Sequence, residues 1–421
     1  MANERHSLSP AGLLLLVIAY NRPQALSRLL ESLSKLDPTD APVDLLISID
    51  GGGDPQCLHL ARQFHWAHGN LRIQAHSQNL GLKTHVENAI DNVVDYDAVI
   101  VLEDDISVSP RMFHYCQTSM AIYGSDPTIA QISLYAPDHN EFCGLPFIPV
   151  RDDGDAWFSQ VPASWGQMWS RDQWIRYRNW QRDGNEGKHF ALLPESARRW
   201  GSQSWKKSYF EYVVSSHSWV VYPYTSLSTN HGDAGIHHRY ATSDLNVALE
   251  TRTRDYRFLP FSSDRVRYDA WLEPSSDIAN THDLDPTLIS VDLYGIKPLI
   301  AIKTPYLLSR KPCGNPIKSY GSILTPLELN VRLNVPGLGK DSIFLGRTTD
   351  FLDSPILPEL FAAQVKRRLR KYLYDLGYAQ GQADLRAELR YQLGNAIMVL
   401  PSKIAAVYRS AARYKTKYPQ P

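Results

Sequence analysis

Short apolar runs, separated by segments with helical spacing, do most to limit how this chain can fold. Residues 13–19 (LLLLVIA), 44–49 (DLLISI) and 98–102 (AVIVL) are almost uninterrupted apolar stretches, and residues 71–75 (LRIQA) form a shorter one. Runs of this length, rich in Leu, Ile and Val, read as strands buried on both faces. Between them lie helical patterns. Pro23 opens one with Leu26, Leu29, Leu30 and Leu33 on a common face. Residues 55–68 form a second, and residues 84–94 a third, with Val86, Ala89, Ile90, Val93 and Val94 on one side. Strands alternating with helices predict an α/β fold: a mostly parallel sheet flanked by helices.

Polar clusters follow these strands at once: Asn21-Arg22-Pro23, Asp50-Gly51-Gly52-Gly53 and Glu103-Asp104-Asp105. In open α/β sheets ligands sit outside the carboxyl ends of the strands, so these clusters are the first place to look for chemistry. Three adjacent carboxylates repel one another, and a hard divalent cation is the natural compensation. Mg²⁺ or Mn²⁺ takes oxygen ligands and keeps positions open for substrate phosphates. The alternative is a solvated acidic turn.

With 421 residues, 43% of them hydrophobic and 21% charged, the chain can bury a large core, which excludes global disorder. Forty-four basic and forty-four acidic residues balance, which argues against a nucleic-acid partner. The balance is uneven along the chain. Residues 357–421 hold 12 Lys/Arg against 4 Asp/Glu, so an acidic body carries a tail of net +8. That tail shows two helical stripes, Phe361, Val365, Leu369, Leu373, Leu376 and then Leu385, Leu389, Leu393, Ile397. Its basic run 366–371 suits either an anionic membrane surface or an oligomer contact. Cys57, Cys116, Cys143 and Cys313 lack metal-ligand spacing, and the reading is a reducing, cytoplasmic context. The run 13–20 lacks the cleavage site of a secretory leader, and no segment reaches the length of a membrane span.

Four ordered motifs, AYNRP (19–23), SIDGG (48–52), NLGLKTHVENAID (79–91) and VIVLEDDI (99–106), resemble nucleotide-sugar glycosyltransferases of the GT-A fold. The likeness is to bacterial family-2-type enzymes and the related N-acetylglucosaminyltransferase I group. It covers about the first 110 residues and continues loosely through Trp165-Gly166 and residues 230–237 and 291–298. It implies a GT-A catalytic domain over residues 1–260, with a donor half to about 136 and an acceptor half from about 137. Residues 261–356 are then an irregular extension, and the basic helical tail follows.

The resemblance also implies roles. Ala19, Tyr20 and Asn21 would line the nucleoside pocket, with Arg22 near the phosphates and Asp50 accepting from base or ribose. Asn79, Gly81 and Lys83 would border the ribose and diphosphate. Asp105 would ligate Mn²⁺ or Mg²⁺, Asp104 would touch ribose or a metal-bound water, and Glu103 would face the sugar. A histidine from HGDAGIHH would join the metal: His237 first, with His231 and His238 behind it. Inverting transfer needs a base. Glu211 is the first candidate, with Asp155 and Asp172 competing, although WKKSYFEYV departs from the usual Trp-Asp pattern. Trp165 and Gly166 would form the acceptor loop, and Trp169 would join the core.

The expected partners are a nucleotide-sugar donor, with UDP as the nucleotide, and a glycan or lipid-linked acceptor in surface polysaccharide synthesis. The rival readings are a sugar nucleotidyltransferase and a non-catalytic carbohydrate-binding or assembly protein. The first usually carries a glycine-rich loop where this chain has AYNRPQ.

Overall fold

The computed structural model of the chain describes residues 12–233, 242–279, 284–337, 339, 342–353, 360, 362–363 and 365–366. The first half alternates as expected: β1 (Leu13–Ala19), α1 (Pro23–Leu33), β2 (Val43–Ile49), α2 (Pro55–Gln63), β3 (Leu71–Ala75), α3 (Leu82–Ile90) and β4 (Ala98–Glu103). After it come β5 (Ile106–Val108), α4 (Met112–Tyr123), β6 (Ile129–Ser133), β7 (Ala156–Ser159), β8 (Gln167–Ser170), α5 (Arg171–Arg182), α6 (Glu195–Arg198), α7 (Trp205–Ser215), β9 (Trp219–Pro223), β10 (Ser228–Asn230) and β11 (Arg267–Tyr268). The last described elements are α8 (Ser276–Ala279), β12 (Ile289–Asp292), β13 (Tyr306–Ser309), β14 (Lys318–Tyr320), α9 (Glu328–Arg332) and β15 (Ile343–Arg347).

The central sheet runs β11-β7-β9-β6-β8-β4-β1-β2-β3. β4, β1, β2 and β3 are mutually parallel. Each buried strand sends alternate side chains to opposite faces. Leu15, Val17 and Ala19 meet Leu26, Leu29, Cys57 and Phe113 on one side, while Leu14, Leu16 and Ile18 meet Val86, Ile90, Trp174 and Tyr209 on the other. Both faces are covered, which is why the strands read as continuous apolar runs rather than alternating ones. The result is a mixed α/β architecture of the GT-A kind, as the sequence leads one to expect.

Two parts of the sequence reading change. Residues 157–219 read as loops and helices beside the sheet, yet they supply β7 and β8 to it. β8 lies between β4 and β6 and is antiparallel to both. The extension is not irregular. β12, β13, β15 and β14 form a four-stranded sheet over a small core of Val291, Leu308, Tyr320, Ile343 and Leu345. Its strands are three to five residues long, too short for periodicity to register. The chain divides into compact units at Met1–Phe361 and Ala362–Pro421, and the stripes expected of the tail lie almost wholly outside the described residues. Among the described residues no helix is long and apolar enough to cross a membrane.

Candidate functional site

The carboxyl ends of β1, β2 and β4 meet at one edge of the sheet. Here backbone packs on backbone. A Cβ on Gly53 would lie 2.1 Å from the Tyr20 carbonyl oxygen, and one on Gly51 would lie 2.3–2.6 Å from Gln78 backbone atoms. Glycine is required where chains approach this closely. Asp50 ties the edge together. Its Oδ1 accepts the Gly51 and Leu80 N–H groups at 2.9 and 2.8 Å, and its Oδ2 accepts the Gly81 N–H at 3.2 Å. The Asn79 side chain adds a bond from Nδ2 to the Gly51 carbonyl at 3.2 Å. Asp50 and Asn79 thus shape the loop that meets Ala19 and Tyr20, and Asp50 reaches a base or ribose only through lone pairs left over. Gly81 opens α3 at φ +78°, a conformation that favours glycine. Lys83 is paired with Glu186.

Behind Asp50 lies a cluster that sequence reasoning missed. Ser48 Oγ sits 2.7 Å from His85 Nε2 and 3.3 Å from His76 Nε2. Burial lowers the His85 imidazole to about 4, so it is neutral at pH 7. Nothing in a helix pattern marks His85 apart from an ordinary core position.

The acidic motif ends β4 as expected. Arg22 reaches across 82 and 83 residues of chain to pair with Asp104 and, at 2.9 Å, with Asp105 Oδ2. Burial works against the guanidinium charge, but Asp104 and Asp105 more than offset it and hold its pKa above the ordinary value. Burial, with the Asp105 charge beside it, pushes the Glu103 carboxyl up to about 8. Burial also raises Asp104, to about 6, against the pull of Arg22. Trp205 Nε1 points at Glu103 Oε1 from 3.4 Å. Two carboxylates therefore converge on one cationic group, and a third stands ready to be neutralised. An all-oxygen set of this kind fits Mg²⁺ or Mn²⁺. Among the described residues, no group of three or more His, Cys, Asp or Glu side chains is already gathered as a metal cage.

β5 and β10 pair antiparallel and bring the histidine segment to this edge. The His231 N–H donates to the Asp105 carbonyl at 2.9 Å, and His231 Nε2 is 2.8 Å from Ser107 Oγ. Burial and the nearby Arg28 lower the His231 pKa. Its ring is thus engaged with Ser107. His237 and His238 lie outside the described residues.

The acceptor loop also arrives. The β4–β8 ladder pairs Val101 with Gln167, so Trp165 and Gly166 lead into β8 at the carboxyl end of β4. Gly166 has φ +97°, and a Cβ there would meet the Ser228 side chain at 2.7 Å. Trp165 is half-buried, whereas Trp169 is fully buried in the core, as expected.

The three expected bases do not reach this edge in usable form. Glu211 is fully buried, and its carboxylate accepts the Gly187 and His189 N–H groups at 2.8 and 2.5 Å. No acceptor hydroxyl can approach it. Asp172 lies in the first turn of α5, beside Ser170, which pairs with Ala98 at the start of β4. That is the opposite edge of the sheet. Asp155 precedes β7, four positions from β4 in the strand order, or about 19 Å at ordinary strand spacing. It is held by Arg254 and the Arg257 N–H.

Residues 15–142 match the family described as glycosyl transferase family 2. The family-2 part of the likeness expected from the four motifs is therefore borne out over residues 15–142. A search of curated proteins found no match. Among solved structures, S. aureus TarS overlaps with a TM-score of 0.34 and 12% identity, covering 50% of this chain and 36% of its own. S. aureus TarS 1–349 in complex with UDP-GlcNAc gives 0.35 and 13%, with 54% and 60% covered. The mannosyltransferase PcManGT from Pyrobaculum calidifontis, in complex with GDP-Man and Mn²⁺, gives 0.34 and 9%, with 51% and 55% covered. This chain thus spans between about a third and three fifths of those chains.

Proposed function

We propose that this chain, whose residues 15–142 carry a glycosyl transferase family 2 domain, is a metal-dependent inverting glycosyltransferase. It moves a sugar from a nucleotide donor, with UDP as the nucleotide, to a hydroxyl of a glycan or lipid-linked acceptor in surface polysaccharide synthesis. The observation that carries this reading is the convergence of Asp104 and Asp105 on one cationic group, at the strand edge where the β1 and β2 loops meet.

The nucleoside lies against Ala19, Tyr20 and Asn21, on the loop that Asp50 and Asn79 shape. Asp105 would hold the metal, with Asp104 beside it, and His237, outside the described residues, would be a further ligand. A divalent cation there supplies positive charge against the diphosphate as it leaves. Arg22, which pairs with Asp104 and Asp105, is the cationic side chain of this edge that would meet a phosphate of the donor. Glu103, whose carboxyl burial and the neighbouring Asp105 hold above its ordinary range, is placed to hydrogen-bond a sugar hydroxyl. Trp165 gives the acceptor an apolar face to stack on.

Calorimetry with UDP tests this. We expect binding in Mn²⁺ and little in chelator, because diphosphate facing Asp104 and Asp105 is otherwise repelled. Asp105→Asn should remove the metal dependence while the protein stays folded. Equal affinity for UDP in Mn²⁺ and in chelator overturns the metal assignment.

A further inference from the structure

With Glu211, Asp155 and Asp172 set aside, none of the expected residues serves as the base. A cleft at the same sheet edge supplies a carboxylate. It is lined by Tyr135, His139, Glu141, Trp165 and Lys206, among others, and Glu141 is the one carboxylate residue in that lining. We propose that Glu141 is the catalytic base that takes the proton from the acceptor hydroxyl, and that Lys206 is the residue that positions it.

The placement follows from the ladders. β8 runs between β4 and β6, and Trp165 enters it at the carboxyl ends of both. Glu141 lies on the segment that leaves β6 at that end, eight residues after Ser133. Both walls of the cleft are tied to the acidic motif. On one side Trp205 Nε1 faces Glu103, and Lys206 is the next residue of α7. On the other, Ser228 Oγ donates to the Trp165 carbonyl at 2.5 Å, and Ser228 pairs with Val108, three residues past Asp105. A hydroxyl resting on Trp165 would therefore lie in the cleft that Glu141 lines, at the end of the sheet where the acidic motif closes β4.

The side-chain geometry suits the role. Lys206 Nζ reaches both oxygens of Glu141 at 3.0 Å and stands over the indoles of Trp165 and Trp200 at 5.2 and 5.1 Å. The two-oxygen contact with the ammonium fixes the direction of the carboxylate. The Glu141 side chain is 20% exposed and Lys206 11%, so an acceptor can reach the pair, as it cannot reach Glu211. His139 is the other proton acceptor in the lining, and its Nδ1 is turned to the neighbouring Asp138 at 2.8 Å.

The inference rests on the glycosyltransferase reading above. In the step, the acceptor O–H proton passes to a Glu141 oxygen. The hydroxyl oxygen forms the bond to the anomeric carbon. The bond from that carbon to the diphosphate oxygen breaks, and its electron pair leaves on the diphosphate.

The test uses the full chain with Mn²⁺ and UDP-glucose, UDP-galactose, UDP-GlcNAc and UDP-GalNAc. UDP release, with water as acceptor, is followed against pH, and UDP affinity is measured in parallel. Glu141→Gln should lower turnover by about 10²–10⁴-fold, lose the acidic limb of the pH profile and leave UDP affinity within about twofold. Formate should restore part of the turnover of Glu141→Ala. Glu141→Asp, which keeps the charge beside Lys206, should keep the limb with a lowered kcat, and it serves if the glutamine variant melts early. Wild-type turnover and an intact limb in Glu141→Gln overturn the assignment, as does an unchanged kcat in Glu141→Asp or loss of the limb in His139→Gln instead. If the wild type binds no UDP in Mn²⁺, the glycosyltransferase reading fails, and this inference falls with it.

Discussion

Glu211→Gln separates a structural carboxylate from a catalytic one. The Glu211 side chain is fully buried, and its two oxygens accept one backbone N–H each, from Gly187 and His189. Glutamine keeps the shape but replaces one oxygen with an NH₂ group, which sets a donor against a donor. A hydrogen bond to a charged group contributes about 1.5–3 kcal/mol, and a buried donor left unpaired costs about 1–3 kcal/mol. Because the surroundings relax in part, we expect a loss of about 3 kcal/mol. Unfolding entropy of about 2.1 cal/mol/K per residue makes about 0.76 kcal/mol/K for the 361 residues of the Met1–Phe361 unit, so Tm should fall by about 4 °C. Differential scanning fluorimetry reads this directly, and UDP release by the folded fraction reads catalysis. Turnover per folded molecule should stay near that of the wild type. An unshifted Tm with turnover lost by a hundredfold or more would refute the reasoning and return Glu211 to the role of base.

Other perturbations address the donor edge. Gly53→Ala drives a methyl group into the Tyr20 carbonyl and should cost about 1–3 kcal/mol in urea melts, together with a loss of UDP affinity; a variant that matches the wild type in both shows that the β1 and β2 loops do not need this close approach. The Glu103 pKa of about 8, against an ordinary 4.5, means that the native state holds a proton that the unfolded chain has lost between those values. That contribution to stability is full below about pH 4.5 and is lost as pH rises through about 8. In chelator, Glu103→Gln should therefore flatten the fall in Tm between pH 5 and 8.5, and an unaltered slope contradicts the raised pKa.

The donor edge was legible because its determinants are local. Apolar runs mark β1, β2 and β4, and the residues next in sequence form the polar edge, since a strand in a parallel sheet must deliver whatever follows it to the carboxyl end. Asp50-Gly51-Gly52-Gly53 and Glu103-Asp104-Asp105 needed no knowledge of distant contacts to be placed there. The acceptor side depends on pairings that no local pattern encodes. A four-residue strand such as β8 has too few positions to show a period, and its insertion between β4 and β6 is what brings Trp165 to the end of the sheet where Glu103 closes β4. Glu211, at a helix position that a sequence reader would leave in solvent, is turned inward because the backbone at Gly187 and His189 needs an acceptor there. Glu141 and Lys206, 65 residues apart, carry no shared motif and meet only because α7 packs beside the segment that follows β6. Sequence spacing thus determined which strand ends carry the chemistry of the donor. The order in which the sheet assembled, a matter of long-range strand pairing and burial, decided which carboxylate stands opposite it.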